Sequence, residues 1–132
     1  MMTMTRTGES TVVPRLFVAF ELSERSWKLG FSDGRGGRPW VRQVDAGAVA
    51  RLASEIARAK AHFTLPADAA VVSCYEAGRD GFWVHRYLVS QGVTNYVVDS
   101  SSIEVNRRAR RAKSDGLDVI ALLRLLVRYV AG

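Results

Sequence analysis

The stretch Leu16-Phe17-Val18-Ala19-Phe20-Glu21 decides the fold. An apolar run with no polar alternation describes a strand covered on both faces, so residues 16–20 belong at the centre of a sheet flanked by helices. The carboxylate that ends the run then stands where a central strand stops, and open α/β sheets gather their ligands at such ends.

Working outward, Trp27, Leu29 and Phe31 alternate with Lys28 and Gly30, Asp33-Gly34-Arg35-Gly36-Gly37 supplies a turn, and residues 40–44 form a further strand. This is an antiparallel meander, and the glycines make a turn rather than a phosphate loop because no helix pattern opens after them. Asp45 is placed to cap a helix running to about residue 62, whose Val49, Leu52, Ile56 and Phe63 recur at helical spacing. Pro66 breaks it. Residues 69–75 form a second buried strand, again ending at a carboxylate, Glu76. Residues 80–90 read as a short aromatic helix stopped by Gly92, and residues 93–98 as another strand. Ser114 is placed to cap a final helix carrying Leu117, Ile120, Leu122, Leu123, Leu126 and Val130. The predicted order is β-β-β-α-β-α-β-α. Three meander strands followed by crossovers that add parallel strands give an α/β fold, a mixed five-strand sheet with helices on its faces.

At 132 residues the chain suits one domain, with 1–14 as a loose tail and 15–132 as the folded unit. No apolar run approaches the roughly 18 residues of a membrane span. The opening residues lack the cationic-then-apolar order of a secretion signal. Cys74, the single cysteine, excludes an internal disulfide and fits a reducing, cytoplasmic setting. The net charge of +6 has its excess in Arg107, Arg108, Arg110, Arg111 and Lys113. Guanidinium groups in that density match phosphate oxygens of nucleic acid; the alternative is a solvated helix face.

Four acids carry the chemistry: Glu21, Glu76, Asp115 and Asp118. The two aspartates, at i and i+3, project from one side of the first turn of the expected final helix. Carboxylates gathered in one place repel one another unless a cation compensates, and hard oxygen ligands favour Mg²⁺ or Mn²⁺. Such ions serve phosphodiester chemistry. The bland alternative is that the aspartates complement the helix dipole and that each glutamate is the first solvated residue after a strand.

The segments Val18-Ala19-Phe20-Glu21-Leu22-Ser23, Tyr75-Glu76-Ala77-Gly78 and Arg111-Ala112-Lys113-Ser114-Asp115-Gly116-Leu117-Asp118 resemble the N-terminal domain of DEDD-type insertion-sequence transposases, relatives of the Piv DNA invertases. The resemblance runs from about Leu16 to the C-terminus, and its most specific piece is the Lys-Ser-Asp-x-x-Asp signature at 113–118. It implies a RuvC-like, RNase H-like fold in which Glu21, Glu76, Asp115 and Asp118 are catalytic and bind divalent metal. It further implies DNA as substrate, a guide RNA for target and donor choice, and a C-terminal domain with a nucleophilic serine outside these 132 residues, so that the chain is a fragment or truncated copy. Position 21 departs from the family, which carries Asp there; the extra methylene moves the carboxylate by about 1 Å.

Trp27, Trp40 and Trp83 suit either core packing or base stacking, with core the ordinary use of aromatic residues at this spacing. His62 and His85 show no partner pattern, and Ser100, Ser101 and Ser102 suit capping because no histidine is placed to activate one. The apolar final helix suggests packing on a further domain or on another copy, hence a homo-oligomer. Two other readings stand beside the transposase: a stand-alone metal-dependent nuclease or junction resolvase, and a non-catalytic nucleic-acid-binding or oligomerisation module.

Overall fold

A computed structural model describes residues 13–78, 82–99 and 117–131. Its elements, in chain order, are β1 (Arg15–Leu22), β2 (Ser26–Ser32), β3 (Trp40–Asp45), α1 (Val49–His62), β4 (Ala70–Glu76), α2 (Trp83–Ser90), β5 (Thr94–Val98) and α3 (Val119–Ala131). The five strands make one mixed sheet in the order β3-β2-β1-β4-β5. The meander pairs antiparallel, while β4 and β5 add parallel strands on the other side of β1.

β1 sits in the middle because it has no polar face to show water. Its even residues, Leu16, Val18 and Phe20, join Trp27, Leu29, Phe31 and Tyr75 beneath α1 and α2, which contribute Leu52, Ala59, Val84 and Leu88. Its odd residues, Phe17 and Ala19, join Val72 and Cys74 beneath Leu122, Leu123 and Leu126 of α3. Two buried layers on one sheet are the physical reason that the run at 16–20 lacks alternation.

The ends of the helices differ from expectation. Asp45 does not cap α1: it remains in β3, paired with Ser26, and the helix begins four residues later at Ala48-Val49 without a side-chain cap. Gly47, at φ 77°, turns the chain between them. The expected start of α2 at residue 80 falls partly on 79–81, outside the described residues, and α2 runs from Trp83. Ser114 also lies outside them, and α3 opens at Val119 with Asp118 before it. The apolar face of α3 packs on the chain's own sheet, so its hydrophobicity does not call for another domain or copy.

Cys74 is fully buried, its Sγ 3.6 Å from the Leu122 carbonyl, and burial pushes its thiol pKa up to about 12. The thiolate is the reactive form, so iodoacetamide at pH 8 is expected to leave Cys74 unmodified in the native protein and to label it fully in denaturant, as read by intact mass. Fast native labelling would mean that α3 does not stay on the sheet.

Candidate metal and nucleic-acid site

Phe20 of β1 lies beside Tyr75 of β4 in a parallel register, so one step further Glu21 and Glu76 stand next to each other where the two strands end. Both continue the rows that face α3, after Ala19 and Cys74 respectively. The Oε1 of Glu21 accepts the Val119 N–H at 3.0 Å, and the Oε1 of Glu76 accepts the Leu117 N–H at 2.9 Å. Asp118 lies between those two residues in the chain, and its Oδ1 accepts the Ala121 N–H at 2.8 Å, the geometry of an N-cap.

Two of the four acids singled out in the sequence, Glu21 and Glu76, therefore bond to the start of α3 from the sheet, and a third, Asp118, caps the helix itself. The amides at a helix start have no carbonyl within the helix to accept them, and they carry the positive end of its dipole. Here they supply charge-assisted hydrogen bonds that offset repulsion between two adjacent carboxylates. Asp118 precedes the helix rather than projecting from its first turn. Asp115, together with Arg107, Arg108, Arg110, Arg111 and Lys113, lies outside the described residues. Among the described residues, no group of three His, Cys, Asp or Glu side chains is arranged to hold a metal ion.

The tryptophans divide: Trp27 is core, whereas Trp83, 5.9 Å from it between ring centroids, is 39% exposed. Both histidines have partners. His62 stacks on Trp40 at 4.4 Å, and His85 Nδ1 lies 2.9 Å from Asn95 Nδ2, whose Oδ1 accepts the buried Ser73 hydroxyl at 2.7 Å. These groups join strands to helices away from the acids, and nothing in the local sequence announces them.

Glu55 on α1 was equally unforeseen as a buried charge. It is 1% exposed and takes Arg42 of β3 through both carboxylate oxygens at 2.8 and 3.3 Å, with Arg51 at 3.3 Å and Arg58 at 3.8 Å beside it. The hydrogen bond from Arg42 holds its carboxyl below the usual range, against the opposing pull of burial. The helical spacing of Arg51 and Arg58 around Glu55 was a visible signal; the reach of Arg42 from the sheet was not.

No family model matches the chain. Over 120 residues, 89% of its length, the chain is 37% identical to a protein of Sinorhizobium fredii (strain NBRC 101917 / NGR234) named "Putative transposase y4rJ", and it spans 30% of that relative's length. The chain is thus similar, over nearly all of its own sequence, to part of a protein that carries the transposase name.

Proposed function

We propose that this chain is the metal-dependent catalytic part of a DNA transposase, a RuvC-like domain of the DEDD type acting on DNA phosphodiesters. Its similarity to a transposase-named protein supports the reaction class. The observation that carries the reading is the side-by-side placement of Glu21 and Glu76 at the ends of the two central parallel strands, both directed at the start of α3.

Anionic hard-oxygen donors are the ligand set that Mg²⁺ and Mn²⁺ take, and Glu21, Glu76, Asp118 and Asp115 would hold such an ion. Bound there, it would acidify an attacking hydroxyl and offset charge on the leaving oxygen of a phosphodiester. The strands fix the two glutamates, and the sheet beneath them limits their motion. Arg107, Arg108, Arg110, Arg111 and Lys113 take phosphates of DNA, or of a guide RNA in the longer protein. The longer side chain at position 21 has a use in this arrangement, because it lets a residue of β1 reach an amide of α3. A homo-oligomer belongs to the reading because exchanging strands between two DNA sites calls for two active centres.

The rival reading, a non-catalytic nucleic-acid-binding module, draws on the same hydrogen bonds: carboxylates that cap a helix need no cation. A calorimetric titration with Mn²⁺ separates the two. The transposase reading expects a saturable site whose affinity falls at least about tenfold in Glu21→Gln and in Glu76→Gln, the scale on which loss of one ligand acts. No saturable binding by the wild-type chain would overturn it.

A further inference from the structure

We propose that Lys28 is a phosphate-binding residue of this site, holding the backbone phosphate next to the one at Glu21 and Glu76. The inference rests on the reading above that this end of the sheet handles DNA. In the antiparallel register of β1 and β2, Lys28 lies directly opposite Glu21, and on its other side it pairs with Gln43 of β3. Directly paired residues share a face, so Glu76, Glu21, Lys28 and Gln43 form a row across four strands on the side that α3 covers.

α3 closes over that face only as far as Gly30, where an added Cβ would come 2.9 Å from Val119 Cγ2. Two residues further along β2 the face opens, and Lys28 is the exposed residue in a strand of otherwise buried or half-buried ones. A cross-strand ion pair with Glu21 would be the ordinary use of a lysine there. That pair does not form: every salt bridge among the described residues centres on Glu55, while an oxygen of Glu21 is engaged with the Val119 amide.

A polyanion drawn toward two carboxylates is repelled by them. A cation one strand spacing away, about 4.8 Å, offsets that repulsion where a neighbouring phosphate arrives. Lysine suits this role as a flexible point charge, and Gln43 adds an amide donor beyond it.

The test is the salt dependence of binding to a fluorescent DNA duplex, read by anisotropy for the wild-type chain, Lys28→Ala, Lys28→Arg and, as a control on the opposite layer, Lys60→Ala. Removing one phosphate contact makes the slope of log K against log salt shallower by about 0.9 and weakens binding on the order of eightfold near 0.1 M salt. Lys28→Ala is expected to show both changes with Mn²⁺ binding retained and thermal unfolding unaltered; Lys28→Arg restores the slope, and Lys60→Ala leaves it unchanged. Wild-type DNA binding with the same slope in Lys28→Ala would overturn the role of Lys28 and leave the DNA reading standing. Absence of DNA binding by the wild-type chain would remove both.

Discussion

Glu55→Ala is expected to cost about 3 kcal/mol of stability, measured by urea denaturation at neutral pH. The carboxylate is 1% exposed and is the shared partner of three arginines, so its loss removes the bidentate contact with Arg42 and leaves Arg51 and Arg58 facing Arg42 of β3 with no anion between them. Breaking a fully buried pair costs about 3–5 kcal/mol; the lower figure applies because all three guanidinium groups keep access to water and rehydrate. The pH dependence provides an independent check. The native carboxyl is held below its ordinary value, chiefly by the Arg42 hydrogen bond. Its contribution is therefore fully present above the unfolded glutamate value of about 4.3 and disappears as pH falls through the lower native value. The wild-type chain should lose this increment on acidification, and Glu55→Ala should not. Arg42→Met leaves a buried carboxylate short of its main donor, so protonation relieves it and this variant should gain stability in mild acid, where wild type loses it and Glu55→Ala stays level.

Trp27→Ala is expected to cost about 3–5 kcal/mol, the range for emptying a buried aromatic site. Trp27 is 1% exposed and shares the α1/α2 layer with Leu29, Phe31 and Tyr75. Its ring meets Trp83 of α2 at 5.9 Å, so the variant should also loosen α2. The two costs fall on one side of the sheet. Hydrogen exchange should accordingly show α1 and α2 opening at lower energy in both variants while the α3 layer, held by Leu122, Leu123 and Leu126 over Cys74, keeps its protection. A uniform loss of protection would instead show that the two layers unfold as one unit.

The centre of the sheet was legible because burial on both faces leaves a mark that local sequence can hold: β1 is apolar from Leu16 to Phe20 and β4 nearly so from Ala70 to Tyr75, and a glutamate follows each run. The meander was legible from alternation and from its glycine turn. Helix starts were not. Asp45 satisfies every local rule for a cap, yet cross-strand pairing with Ser26 holds it in β3, and sheet hydrogen bonds outweigh a single cap. Ser114 and Asp118 both suit the start of the last helix. Asp118 caps it through the Ala121 N–H, and a carboxylate from β1, a partner that no window of neighbouring residues contains, takes the Val119 N–H beside it. The same limit hid Arg42 from Glu55, while the adjacency of Glu21 and Glu76 could be anticipated because parallel strands joined by a crossover bring their ends together.

The two hydrogen bonds from α3 to the glutamates span 98 and 41 residues of sequence. Closing loops of that size delays the contacts that depend on them. The meander and the first crossover can form before these two bonds exist, and only arrival of the last helix supplies the amides that fix the glutamates. The fixed placement of both carboxylates is therefore acquired at the end of folding, when α3 docks on the sheet.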